Sequence, residues 1–250
     1  MSALVTTAPS GDPAEAAELA RRFSGWRVIN RAGRPLHELL SAAEPVLVLA
    51  ARRADLYVQG KAYRASAGMA FLRLLRARRG EADPLIEVAA LKRGERVLDA
   101  TLGLGGDALL CAQATGEPVV GLEASGLIAA FTQSGLVRLP RHGREPGQLV
   151  QVQEADHRAF LRAQPSGSFD VVLLDPMFRK AGDAGPLFEL LRAHAEHRPL
   201  DEATLREAAR VSRRGVLVKD SAPGWELRRL GLEPVLSRRS ATICFGFLPR

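Results

Sequence analysis

The run Val97-Leu98-Asp99-Ala100-Thr101-Leu102-Gly103-Leu104-Gly105-Gly106-Asp107-Ala108-Leu109-Leu110 decides the fold. It begins as an apolar strand that closes on an acid, passes through a cluster of glycines, and opens into a helical stretch at Asp107. A strand turning tightly through Gly103, Gly105 and Gly106 into a helix lets a ligand approach the backbone at the turn. Asp107, at the helix start, either caps free amide groups or turns its carboxylate into the ligand cavity. A glycine turn by itself is shared by many nucleotide-like sites, so residues further along must discriminate among them.

Beyond this turn the chain alternates. Pro118–Glu123, Leu149–Gln153, Phe169–Asp175 and Gly215–Lys219 read as strands, and Leu127–Leu139 and Glu202–Val211 as helices. Short strands alternating with helices imply a mainly parallel sheet covered on both faces. The ending differs, because Glu233-Pro-Val-Leu-Ser and Ser240-Ala-Thr-Ile-Cys-Phe-Gly-Phe lie too close for a parallel return, which needs a dozen or more residues. The expected fold class is therefore α/β: a doubly wound, mainly parallel seven-stranded sheet finished by a C-terminal antiparallel hairpin. That ending resembles class I methyltransferases rather than pure dinucleotide folds.

Residues 1–60 read as a small N-terminal α/β appendage and 61–250 as the main domain. Within the appendage, Met1–Pro13 reads as frayed, and Trp26-Arg-Val-Ile, Pro45-Val-Leu-Val-Leu and Leu56-Tyr-Val as strand cores. Ala62–Arg79 reads as a basic amphipathic helix with Met69, Leu72 and Leu75 on one face and Arg73, Arg76, Arg78 and Arg79 on others. Those arginines are either a solvated face or a nucleic-acid contact.

The chain has 250 residues, 46% of them apolar, which is enough for a full core. Its formal charge of +7, with arginine far outnumbering lysine, favours polyanionic partners over membranes or acidic proteins. Cys111 and Cys244 sit in apolar stretches and read as core residues. Acids at positions 12, 15 and 18 exclude an ordinary secretory signal, and no apolar run reaches membrane-spanning length, so a cytoplasmic protein is expected. His194-x-x-His197 lacks an evident third ligand, and no metal is expected.

Chemistry narrows the ligand. Asp99 just ahead of the glycines sets an anion where a pyrophosphate would be repelled, whereas the ammonium and sulfonium of S-adenosylmethionine welcome a carboxylate there. Glu123 ends the next strand, where an acid can accept from the hydroxyls of a ribose. Asp156 and His157 follow the third strand, where they either meet an adenine amine or, for Asp156, cap a helix. The most specific motif is Leu174-Asp175-Pro176-Met177-Phe178 at the end of the fourth strand. An amine conjugated to a purine ring is a poor nucleophile, because its lone pair is delocalised. Hydrogen bonds from it to the Asp175 carboxylate and the Pro176 carbonyl favour a pyramidal nitrogen, while Phe178 can stack on the base. Pro176 removes a ladder donor, which suits a strand end. Arg179, Lys180 and Lys219 are either phosphate contacts or surface charges.

Taken in order, these motifs resemble the RsmJ family of small-subunit ribosomal RNA guanine-N2 methyltransferases. The resemblance runs from about Tyr63 to the C-terminus and rests on Asp99-Ala-Thr-x-Gly-Leu-Gly-x-Asp, Glu123, the Leu-Asp-Pro-Met-Phe block and Val218-Lys219. It implies S-adenosylmethionine as cofactor, with contacts at Gly106, Asp107, Glu123, Ala124, Asp156, His157 and Asp175. It also implies ribosomal RNA or the small ribosomal subunit as partner. The chain departs from the family at Gly106, Ala124 and Asp156-His157, where the family tends to have an arginine, a basic residue and a serine pair. A protein or small-molecule acceptor, a non-catalytic RNA-binding module and a nicotinamide-dependent oxidoreductase are the alternatives.

Overall fold

The computed structural model describes residues 2–40, 44–65, 68–139, 149–176, 185–236 and 242–250, with backbone alone over 68–71. Two sheets organise them. The first contains β1 (Ala3–Thr7), β2 (Trp26–Val28), β3 (Val46–Ala50), β4 (Arg53–Val58) and β5 (Lys61–Arg64) in the order β2-β1-β3-β4-β5, with helices α1 (Pro13–Arg22) and α2 (Leu36–Leu40). The start of α1 follows from local chemistry: Asp12 accepts from the Ala14 amide at 2.8 Å and Pro13 occupies the first turn.

Two expectations for this region are corrected. Over its described residues the stretch Met1–Pro13 is not frayed, because Ala3–Thr7 is the strand between β2 and β3, parallel to both, with Val5 fully buried. The β-branched run Val5-Thr6-Thr7 suits a ladder bonded on both sides. Nor is Ala62–Arg79 one helix. Gln59 and Gly60 both adopt positive φ (48° and 76°), the hairpin geometry that returns the chain as β5 against β4. The helix, α3, spans Gly68–Arg78; among its described side chains Leu74 is the buried one, Leu72, assigned to the apolar face, is 47% exposed, and the Met69 side chain lies outside the described residues.

The second sheet holds β6 (Val97–Asp99), β7 (Val119–Glu123), β8 (Val150–Glu154), β9 (Phe169–Leu174), β10 (Ser212–Ser221), β11 (Val235–Leu236) and β12 (Ile243–Pro249). Its order is β11-β12-β10-β9-β6-β7-β8, and only the pairs made by β12 are antiparallel. The doubly wound sheet and its closing hairpin are as the sequence implies, with β12 inserted between β10 and β11.

Alternation along the strands makes the two layers. Val171, Leu173 and Leu217 enter one buried cluster with helices α4 (Pro84–Ala89), α5 (Gly106–Thr115) and α6 (Gly126–Leu136), while Val172, Leu174, Val216 and Val218 enter another. That second cluster includes α7 (His157–Ala163), α9 (Glu202–Val211) and α10 (Trp225–Arg229). The helix α8 (Pro186–His194) contributes Leu190 and Leu191 to the first cluster. Strands buried on both faces carry continuous apolar runs for this reason. The small sheet shares the first cluster through Val5, Leu47, Leu49 and Leu56, so it is packed onto α6 and its neighbours. Cys111 and Cys244 are both buried. No helix among the described residues is long and apolar enough to cross a membrane.

Candidate functional site

From β6 in the interior of the large sheet the chain winds first to β7 on one side, and β9 lies on the other. The carboxyl ends of these strands therefore border the crevice where open α/β sheets take ligands. Asp99 and Glu123 end β6 and β7 and are both buried; Asp175 directly follows β9. The β9–β10 register pairs Leu174 with Val218, which sets Asp175 beside Lys219.

The glycine turn is tight for identifiable reasons. Gly103 and Gly105 adopt φ of +51° and +75°, which side chains disfavour, and Gly106 opens α5. The Leu102 amide donates to the Leu122 carbonyl at 2.8 Å, and the Thr132 hydroxyl donates to the Gly103 carbonyl at 2.7 Å. Gly121 on β7 leaves room for the Leu102 side chain, whose end would have to move for a Cβ there, 2.5 Å away. Glu123 joins this turn to the loop after β7: Oε2 accepts from the Gly103 amide at 3.2 Å and Oε1 from the Ser125 amide at 2.8 Å. Burial nevertheless pushes the Glu123 carboxyl up to about 7.

Around the turn lies a chain of charges. Lys219 Nζ donates to Asp107 Oδ2 at 2.7 Å and to Asp175 Oδ2 at 2.6 Å. Arg73, from α3, donates to Asp107 Oδ1 at 2.5 Å and grips Asp83 through two bonds of 2.9 Å. The Asp175 amide donates to the Thr101 hydroxyl oxygen at 2.5 Å, and the Thr101 amide to Asp99 Oδ1 at 3.1 Å. Burial opposes ionisation of Asp107, but Lys219 and Arg73 outweigh it and hold that carboxyl low. Asp175 is shifted the other way: burial raises it, against the pull of Lys219. Asp99 is raised to about 8 by burial and by the neighbouring Asp107.

The middle members of this chain, Asp107 and Lys219, are held by its ion pairs. Asp107 caps no helix amide; both its oxygens bind cations. Lys219, read as a phosphate contact or surface charge after the fifth strand, is instead inside β10 and ion-paired. Arg73, placed among the solvated or nucleic-acid-binding arginines of its helix, is likewise a partner of buried carboxylates. Motif reasoning gives Lys219 and Arg73 other roles, a phosphate or nucleic-acid contact or a surface charge, and gives Thr101 none of its own. A lone lysine closing the apolar run Val216-Leu217-Val218 is the one local signal, since a buried ammonium requires a partner.

The remaining residues are more dispersed. Asp156 caps α7, accepting from the Ala159 amide at 3.0 Å, and its other oxygen pairs with Arg198. His157 is buried at the first position of that helix. A cavity of about 500 Å³ opens beside the loop after β7, with Trp26, Ala124, Ser125, Glu154, His194 and Glu196 among its walls. Trp26 Nε1 donates to the Gly126 carbonyl at 2.9 Å, so the small sheet forms one side of it. Gly105, Asp175 and Asp156 lie outside its walls. Pro176 follows Asp175 and is half-buried, while Met177, Phe178, Arg179 and Lys180 lie outside the described residues.

Asp99 gives a testable pH dependence. Its folded value of about 8 lies above the ordinary 3.8, so between these limits the folded protein binds more protons than the unfolded chain. Asp99 therefore stabilises most at low pH, and that contribution is lost as pH rises through about 8. Asn at this position can still accept from the Thr101 amide without titrating. Thermal melts are expected to show the fall in Tm between pH 5 and pH 9 reduced in Asp99→Asn; an unchanged fall contradicts the assignment.

Comparison with known proteins adds the following. Residues 41–185 match the family model described as “Putative SAM-dependent methyltransferase”. The uncharacterized protein YpiP of Bacillus subtilis is 33% identical over 223 residues, covering 85% of this chain and 84% of that one. The ribosomal RNA small subunit methyltransferases J of Laribacter hongkongensis and Alkalilimnicola ehrlichii are 39% and 34% identical. Those matches cover 41% and 54% of this chain, and 38% and 57% of the two relatives. A crystal structure of a SAM-dependent methyltransferase from Neisseria gonorrhoeae superposes with a TM-score of 0.63 at 19% identity, covering 98% of this chain and 95% of that one.

Proposed function

The chain belongs to the S-adenosylmethionine-dependent methyltransferase family, and from that premise we propose that it methylates the exocyclic N2 amine of a guanine in small-subunit ribosomal RNA. The observation that carries this reading is the placement of Asp175, an amine-accepting carboxylate, one lysine away from the helix that opens at the glycine turn. The partial matches to ribosomal RNA methyltransferases, the Asp175-Pro176-Met177-Phe178 block and the charge of +7 support an RNA base as acceptor.

The residues suit the methyl donor. Asp99 and Glu123 are desolvated carboxylates, and Asp99 is raised partly by crowding against Asp107, so a cationic ligand relieves the local excess of acid. When bound, S-adenosylmethionine supplies a methyl group on a positively charged sulfur. Asp99 faces the charged methionine portion, Gly103, Gly105 and Gly106 let it approach the backbone, and Glu123 accepts from the ribose hydroxyls. Ala124, Asp156 and His157 border the adenine.

Asp175 and the Pro176 carbonyl accept hydrogen bonds from the guanine amine, localising its lone pair for attack, and Phe178 stacks on the base. Alignment of nitrogen with the methyl carbon and exclusion of water supply most of the rate. A quarter of the Asp175 side chain, 25%, is accessible, which lets an acceptor reach it. We take the appendage that walls the cavity beside Ala124 to be residues 1–60, with β5 just beyond that boundary completing its sheet, and the rest of 61–250 to be the catalytic domain.

The test is mass-spectrometric mapping of methylated guanines in small-subunit ribosomal RNA from cells with and without the protein. One N2-methylguanine is expected to disappear. If every guanine keeps its modification, the acceptor is a protein or a small molecule instead.

A further inference from the structure

Lys219 is an ammonium that the reaction proposed above does not itself require. It lies in β10 between Val218 and Asp220, which are both buried, and only 14% of its side chain is accessible. Keeping a lysine there rather than an apolar residue is costly unless its charge is matched. It is matched twice, by Asp107 at 2.7 Å and Asp175 at 2.6 Å. Arg73 extends the chain on the far side to Asp83. Charges thus run through α3, the first turn of α5, β10 and the residue after β9. Motif reasoning places Asp107 on the cofactor side and Asp175 on the acceptor side, and Lys219 is the group that touches both.

The consequence for Asp175 is geometric. Its backbone amide is held by Thr101, and its Oδ2 by Lys219. Among the described residues its other oxygen, Oδ1, accepts no side-chain hydrogen bond. We propose that Lys219 is the positioning residue for Asp175, fixing its carboxylate against the first turn of α5 so that one defined oxygen faces the acceptor. This rests on the reading of Asp175 as the amine-binding group. Charge works in the same direction. Among the described residues, the charged groups acting on Asp175 are Asp99 from β6, Asp107 from α5 and Lys219 from β10, with Arg73 of α3 beyond Asp107. Without the ammonium, two neighbouring acids and burial favour a protonated Asp175, which donates where it must accept.

Lys219→Met and Lys219→Gln separate this from a merely structural role; the glutamine keeps a donor without the charge and covers the case in which the methionine variant does not fold. The first readout is the side-chain carboxyl 13C resonance of Asp175 in the ligand-free protein, assigned with Asp175→Asn and followed against pH. Its midpoint is expected to rise in the variants, and an unchanged midpoint overturns the proposal.

The second readout is transfer to small-subunit ribosomal RNA from cells lacking the protein. A misplaced carboxylate is expected to lower kcat about 100-fold, with the acid limb of the pH profile moved upward and S-adenosylhomocysteine affinity within about tenfold. If kcat and the acid limb are unchanged while Asp175→Asn is inactive, Lys219 does not position Asp175 although the reading of Asp175 stands. If Asp175→Asn is also fully active, that reading fails as well.

Discussion

Asp175→Ala is expected to lower methyl transfer by at least about 1,000-fold while leaving S-adenosylhomocysteine affinity within about tenfold, a difference of roughly 1.4 kcal/mol. The two effects separate because the proposed site assigns acceptor and donor to different residues. An aromatic amine shares its lone pair with the ring, and accepting its hydrogens is what returns that pair to the nitrogen; alanine accepts nothing. In the proposed site the adenosine portion of the donor is held by Glu123 and the glycine turn, whose hydrogen bonds do not pass through Asp175. Lys219 keeps Asp107 as a partner when Asp175 is truncated, so the buried ammonium is not stranded. Single-turnover transfer and calorimetry measure the two quantities, and retained turnover removes Asp175 from the chemistry.

Arg138→Met is expected to destabilise the protein by about 3–5 kcal/mol, the usual consequence of removing one member of a buried ion pair. Only 5% of the Arg138 side chain is accessible. Its guanidinium donates to both Glu15 oxygens at 2.6 and 2.7 Å, to the Ala50 carbonyl at 2.8 Å and to the Ser134 carbonyl at 2.8 Å. One side chain thus joins α1 and β3 of the small sheet to α6 of the large domain. For a chain of this size the change corresponds to a fall in Tm of roughly 6–20 °C. Glu15→Gln should cost less, because Glu15 is 27% exposed and can be hydrated. A melting temperature within about 2 °C of the native value contradicts this account of how the two sheets are joined.

What the sequence reveals depends on how local the cause is. The glycine turn is legible because positive φ at Gly103 and Gly105 is a requirement of those positions themselves. The closing hairpin is legible because chain length forbids any other return between Val235–Leu236 and Ile243–Pro249. The ion-paired chain is not, because its members meet only through packing: Arg73 and Asp107 are 34 residues apart, Asp107 and Lys219 112 apart. A basic helix looks alike in sequence whether its arginines face solvent or buried acids.

The small sheet shows the same limit. The run Ala3–Thr7 is flanked by Ser, Ala and Pro, and becomes an interior strand only because Trp26–Val28 and Val46–Ala50 supply its partners. Trp26 reads as part of a strand core, yet its indole also reaches Gly126 across to the large domain.

The most direct measurement is a crystal structure with S-adenosylhomocysteine bound. One ligand is expected in one cleft, its ribose against Glu123, its amino-acid portion at Gly103–Gly106 beside Asp99, and its sulfur turned toward Asp175. Ligand bound away from the glycine turn, or with its sulfur walled off from Asp175 by packed side chains, would contradict the account.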